Sequence, residues 1–182
     1  MPERSWTLLG SRDIADHRIF RIRYDRYRFE PTGAEGDFVV MDSADWVNVV
    51  PLTADGQVIL VRQYRHGTRR LSLEIPGGMI DADESPAAAA ARELKEETGF
   101  VSQRIRLLGR ANPNPAVQTN FCYFFLAEGC RQVSPPQPDP LERIEVVLRP
   151  LQDIPALMQR EEICHALVIS AFAYLGTVPQ VP

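Results

Sequence analysis

Apolar and polar positions change period several times along the chain. From His17 to Glu30, Phe20, Ile22 and Tyr24 alternate with Ile19, Arg21 and Arg23, which predicts a strand rich in branched and aromatic residues. Pro31-Thr32-Gly33 and Glu35-Gly36 read as a turn, and Phe38–Met41 as the hairpin partner, so residues 1–43 are expected to form a small antiparallel β appendage. Trp46–Leu52 and Val58–Gln63 are two further strands, joined by Ala54-Asp55-Gly56, a good hairpin signal between apolar runs. Leu71–Ile75 is a short strand stopped by Pro76-Gly77-Gly78. A helix follows, with Ser85 at its N-cap, Pro86 in its first position and Gly99 just past its end. Between them, Ala87–Thr98 is alanine- and glutamate-rich. Ile105–Leu108 and Cys122–Leu126 read as strands flanking a proline loop, Asn112–Pro115, and Val133–Pro140 forms a second such loop. Ile144–Leu148 is a strand; Asp153–Arg160 and Ile163–Leu175 are helical, the latter with Ile163, Ala166, Leu167, Ser170, Ala171 and Tyr174 on a core-facing stripe. The pattern gives a mixed α/β domain over residues 44–182 behind the appendage.

The helix after Ser85 has a second pattern. At about 100° per residue, with Glu93 at zero, Glu97 falls near 40° and Glu96 near −60°. Leu94, Ala90, Ala87, Ala91 and Thr98 fall between roughly 60° and 160° and form the side expected to pack. Three carboxylates thus share one arc towards the helix C-terminus, where like charges repel and the macrodipole disfavours them. A solvated acidic face is the plain alternative, with Arg92 and Lys95 as local offsets. Stability alone does not select this arrangement, whereas a hard divalent cation does: it takes oxygen ligands, including carboxylates, and leaves positions for water and phosphate oxygens. The Gly77-Gly78 turn lets backbone approach a ligand closely, and its carbonyls can complete the coordination.

Composition narrows the setting. The 182 residues are 45% hydrophobic and 24% charged with a net charge of −4, an ordinary globular balance that excludes disorder and gives no basic footprint for nucleic acid. No apolar run is long enough for a membrane span, and Met1–Trp6 has no apolar core of a signal peptide. Cys122, Cys130 and Cys164 have no metal-binding spacing and read as reduced, mostly structural thiols of a cytoplasmic protein. His17, His66 and His165 form no ligand signature.

Segment 78–100 resembles the signature of the Nudix hydrolase family: Gly78, five residues, Glu84, seven residues, Arg92-Glu93, an apolar residue, any residue, Glu96-Glu97, any residue, Gly99 and an apolar residue. A chance match at this spacing is on the order of one in a million. The resemblance spans roughly residues 44–176 and implies an α/β/α sandwich around a mixed sheet. It further implies hydrolysis of a nucleoside diphosphate linked to another moiety, with Mg²⁺ as cofactor and Mn²⁺ as an alternative. Carried over by position, Glu93 and Glu97 are the main metal ligands, Glu96 a third and the Gly77 carbonyl a further one. Arg92 and Glu84 correspond to the pair that orients the helix carboxylates.

Features outside the signature resemble the branch that cleaves ADP-ribose and nucleotide sugars. Pro115 lies 15 residues beyond Phe100, and Leu60-Val61-Arg62-Gln63-Tyr64-Arg65 precedes Leu73-Glu74-Ile75-Pro76-Gly77-Gly78. In that branch Arg65 would bind the diphosphate, and the N-terminal strands would form a swapped homodimer. The catalytic base of the branch is a loop glutamate before a late strand. Glu142 fits that place, with Glu145 inside the strand, although the surrounding loop is richer in proline than the branch pattern. Glu142 as a plain surface residue stays open. Trp46, Tyr64, Phe121 and Tyr123 are candidates for the base pocket, and for Trp46 core packing competes with stacking. The expected activity is release of a nucleoside monophosphate and a sugar phosphate from an ADP-ribose or GDP-mannose type substrate, with no membrane or nucleic-acid partner. The alternatives are a housecleaning nucleoside triphosphate or dinucleotide pyrophosphatase and a non-catalytic nucleotide-sugar sensor. The intact Glu93, Glu96 and Glu97 speak against the sensor.

Overall fold

A computed structural model describes residues 5–137 and 143–177. The described chain divides into two compact units, one from the residues up to Ala44 with Asn112–Phe121, the other from Asp45–Ala111 with the residues after Phe121. The loop 112–121 therefore groups with the N-terminal strands.

The first unit is a three-stranded antiparallel sheet in the order β1 (Trp6–Asp16), β2 (Arg21–Phe29), β3 (Ala34–Asp42). The strand expected from His17 starts at Arg21, and β1 was not foreseen. Its apolar residues do not alternate, being broken by Gly10, Ser11, Arg12 and Asp13, and almost every position is exposed. Pairing with β2, with two register irregularities, makes it a strand rather than its own pattern. On this sheet Trp6 packs on Phe29 at 4.7 Å and edge-on to Phe38 at 5.6 Å. Arg23 joins Asp25 and Asp42.

The second unit is an eight-stranded mixed sheet of β4 (Trp46–Thr53), β5 (Gln57–Arg65), β6 (Arg70–Glu74), β7 (Gly77–Met79), β8 (Phe100–Val101), β9 (Arg104–Ala111), β10 (Cys122–Gln132) and β11 (Glu145–Pro150). The central order is β11-β5-β4-β10-β8, and only β4 and β10 run parallel. Side-chain alternation builds a core on each face. Val47, Val49, Ile59, Phe125 and Ala127 pack with Ala89, Ala90 and Leu94 of α1 (Pro86–Thr98). Val50, Val58, Leu60, Phe124 and Leu126 pack with Ile154 and Leu157 of α2 (Ile154–Gln159) and Leu167, Val168 and Ala171 of α3 (Ala166–Thr177). Strands covered on both faces explain why Val58–Val61 is continuously apolar and wholly buried. This is the expected α/β/α sandwich with a small N-terminal antiparallel sheet.

Two details differ from the pattern. Helix α3 begins at Ala166, which is exposed, and its buried side is Leu167, Val168 and Ala171, so the stripe is rotated from the expected one. The Gly77-Gly78 part of the expected stop lies in a strand, β7, because Gly77 and Gly78 pair with Asn48 and Val47. The helix α1 boundaries match: Ser85 Oγ accepts from Ala88 N at 3.2 Å, and Gly99 closes the helix at φ +75°. No cysteine is in a disulfide, and burial pushes the Cys122 and Cys130 thiols up to about 12 and about 11. Among the described residues no helix is long and apolar enough to cross a membrane.

Candidate active site

The site is built on α1 and the short strand β7 in front of it. The buried residues of α1 are Ala89, Ala90, Leu94, Glu97 and Thr98. With Glu93 at zero these lie at about −40°, 60°, 100°, 40° and 140°. Glu97 therefore sits inside the packed face, not beside it, while Ala87 and Ala91 are exposed. The acidic arc grades from Glu97, 5% exposed, through half-buried Glu93 to Glu96, whose side chain is 47% exposed.

Each carboxylate meets a donor. Gly77 N–H donates to Glu97 Oε2 at 3.1 Å, tying β7 to the helix. Arg92 Nη1 donates to Glu93 Oε1 at 2.8 Å and to Glu96 Oε2 at 3.1 Å. The other edge of the same guanidinium grips Glu84, Nε to Oε1 at 3.0 Å and Nη2 to Oε2 at 2.9 Å, and reaches the Met79 carbonyl at 3.0 Å. Arg92 thus links the loop before α1, β7 and two carboxylates one turn apart. It holds the Glu84 carboxyl below the usual carboxylate range, chiefly through this fork. Gly78 lies against the Glu93 carboxylate so closely that a Cβ there would fall 2.3 Å from Oε1.

The donors suit a hard divalent cation: they are all oxygens, three of them carboxylates on adjacent turns, with glycine backbone alongside. Among the described residues no three acidic, thiol or imidazole side chains converge at ligand distance. Glu93 and Glu96 turn to Arg92, the counter-charge a cation would compete with.

The remaining candidates are more dispersed. Arg65, at the end of β5, forms a bidentate pair with Glu74, Nε to Oε1 at 2.9 Å and Nη2 to Oε2 at 2.6 Å. Trp46 opens β4 between Cys122 and Met79 and packs, partly buried, against the core that holds Cys122 and Phe124. Tyr64 is exposed, edge-on to His66, and Tyr123 carries Arg110 over its ring at 5.9 Å. Pro115 and Phe121 belong to the first unit. Glu142 lies outside the described residues.

Sequence reasoning passed over Glu74, which is 2% exposed. The available signal was a lone acid between Leu73 and Ile75, since a carboxylate in an apolar strand needs a counter-charge. Burial is the largest influence on it and would raise its pKa. The Arg65 hydrogen bonds and charge, with His165 and Ser72, outweigh that and hold it low.

A mixed sheet between helices, with an Arg-organised set of glutamates on the helix after a Gly-Gly strand, defines a metal-assisted hydrolase class. A family model described as NUDIX domain matches residues 43–171, and the chain belongs to the Nudix family of hydrolases, which generally use divalent metal ions. It is 29% identical over 146 residues to the ADP-ribose pyrophosphatase of Bacillus subtilis (strain 168), covering 80% of this chain and 79% of the relative. It is 31% identical over 138 residues to the ADP-ribose pyrophosphatase of Mycobacterium tuberculosis (strain ATCC 25618 / H37Rv), covering 75% and 66%. Among solved structures, a crystal structure of ADP compounds hydrolase superposes with a TM-score of 0.85 at 26% identity, covering 97% of this chain and 95% of that one.

Proposed function

We propose that this chain hydrolyses the diphosphate of a nucleoside diphosphate sugar in a Mg²⁺-dependent reaction, with ADP-ribose the first candidate and GDP-mannose a related one. The products are a nucleoside monophosphate and a sugar phosphate. The observation that carries the chemistry is the placement of Glu93, Glu96 and Glu97 on one helix, organised by Arg92 and Gly77 N–H. The substrate class rests on the relatives, which bear the names ADP-ribose pyrophosphatase and ADP compounds hydrolase.

Glu93, Glu97, Glu96 and the Gly77 carbonyl are the proposed cation ligands, and Arg92 with Glu84 orients them. When bound, a divalent cation supplies positive charge against the diphosphate and eases deprotonation of a nearby water. Glu142 is proposed as the base that takes that proton. The water oxygen bonds to one phosphorus as the bridging P–O bond breaks, and the bridging oxygen leaves on the other phosphate. Arg65 is proposed to meet the diphosphate, a role that the planar guanidinium fork suits. Trp46 is proposed to bound the nucleoside, and Pro115 is proposed as a substrate-binding residue.

The assay is release of monophosphate, with Mg²⁺, from ADP-ribose, GDP-mannose, UDP-glucose, a dinucleoside polyphosphate and a nucleoside triphosphate. Selective release of AMP or GMP from a diphosphate sugar is the expected result. Preference for the triphosphate or the dinucleotide would move the chain to the housecleaning reading.

Residues 1–43 are proposed as a dimerisation element of a cytoplasmic homodimer. The support is a three-stranded sheet that leaves Trp6 47% and Phe38 46% exposed, large apolar surface that a second chain would bury. A sedimentation mass of two chains is expected; a single-chain mass at micromolar concentration would overturn the proposal.

A further inference from the structure

Arg65 stands opposite Arg70, and Glu74 stands opposite Val61, so both side chains project from one face of the β5–β6 pair. The Arg65 guanidinium is drawn back along this face to the Glu74 carboxylate, with both contacts at hydrogen-bond length. Glu74 ends β6, three residues before Gly77, whose N–H is held by Glu97. One short segment, Glu74–Gly77, thus links Arg65 to the carboxylate helix. From the other side His165 brings Nδ1 to 3.6 Å from Glu74 Oε2, just beyond a hydrogen bond. A carboxylate this deeply buried is weak ground for stability, because an apolar residue of similar volume packs as well without the desolvation cost. It is good ground for orientation: a bidentate fork fixes the plane of a guanidinium and so sets how it faces a ligand.

We propose that Glu74 is a positioning residue, which acts on the substrate diphosphate only through Arg65, by holding the guanidinium in the orientation that meets phosphate oxygens. The proposal rests on the functional reading above. Substrate binding, not the bond-breaking step, is what Glu74 serves.

The test is a double-mutant cycle of Glu74→Gln and Arg65→Lys, with KM, kcat and the equilibrium Kd for ADP-ribose measured with Mg²⁺ and unfolding midpoints alongside. Glu74→Gln is expected to raise KM and Kd about tenfold, the usual scale for a residue that orients a ligand-holding group, with kcat within about a factor of two. Arg65→Lys is expected to raise KM by a similar factor, and the double variant is expected to be no worse than Arg65→Lys alone. Glu74→Asp, which keeps the charge but shortens the reach, should raise KM less and serves if the glutamine variant does not fold. Unchanged KM in a folded Glu74→Gln protein, or additive effects in the double variant, would overturn the positioning role. A wild-type protein that neither binds nor cleaves ADP-ribose or another diphosphate sugar would instead sink the functional reading, and Arg65's role with it. That failure shows in the wild type, before any variant is compared.

Discussion

Glu97→Gln is expected to lower kcat by roughly a hundred- to a thousandfold, the range seen when one preorganised charge-stabilising group is removed from a phosphoryl- or acyl-transfer site. The unfolding midpoint should move by less than about 4 °C, equivalent to about 1 kcal/mol or less in a chain of this size. The two halves of this prediction come from the same geometry. Glu97 lies in the packed face of α1, where an ionised carboxylate carries a desolvation cost, and its Oε2 accepts the Gly77 N–H at 3.1 Å. Glutamine offers an amide oxygen to that N–H and fills the same volume, so the link between β7 and α1 survives. What it cannot offer is the negative charge and the second acceptor oxygen that a divalent cation needs. Weaker Mn²⁺ binding should accompany the loss of turnover. A Glu97→Gln protein that keeps most of its activity would remove Glu97 from the metal site and leave it as a structural link.

That geometry also shows how far the sequence could be read. The ends of α1 were legible because they are local: Ser85 bonds within its own turn and Gly99 takes a left-handed conformation that glycine, lacking a Cβ, readily adopts. The carboxylate arc was legible for the same reason, since helix periodicity alone places Glu93, Glu96 and Glu97 together. Where the helix packs was not legible to that precision. Alanines occupy positions 87 to 91 without distinction, and only the sheet decides that Ala89 and Ala90 are covered while Ala87 and Ala91 face out. Strand β1 failed for a related reason: its partner β2, not its own alternation, makes it a strand. Glu74 is the case that matters for function. Its partner Arg65 is nine residues away on the neighbouring strand, so the pair exists only once β5 and β6 are in register. Arg65 was read from the family resemblance only as a residue that would bind the diphosphate. Its bidentate pair with Glu74 braces the guanidinium, which no local pattern could show.

Gly78→Ala is expected to separate activity from stability most cleanly. Gly78 lies in β7, in hydrogen-bonded register with Val47, and is not among the glycines with positive φ, so alanine suits its backbone. By reducing the freedom of the unfolded chain, the substitution should leave stability unchanged or raise it by about 0.4–1 kcal/mol. The new methyl, however, would fall 2.3 Å from Glu93 Oε1 and 2.6 Å from its carboxyl carbon, which no real contact tolerates. The strand is pinned by its pairing with β4, whereas the end of the Glu93 side chain is flexible, so the carboxylate moves and the strand does not. Its contact with Arg92 Nη1, 2.8 Å in the wild type, is lost, and Arg92 can turn further onto Glu84 and Glu96. A displacement of about 1 Å at a reacting centre costs on the order of a hundredfold in rate, and kcat should fall by about that much, with weaker Mn²⁺ binding. Denaturant melts and steady-state kinetics on one preparation check both signs. Near wild-type kcat in a folded Gly78→Ala protein would mean that the Glu93 carboxylate tolerates displacement, and its assignment as a main cation ligand would then fail even if Glu97 behaves as expected.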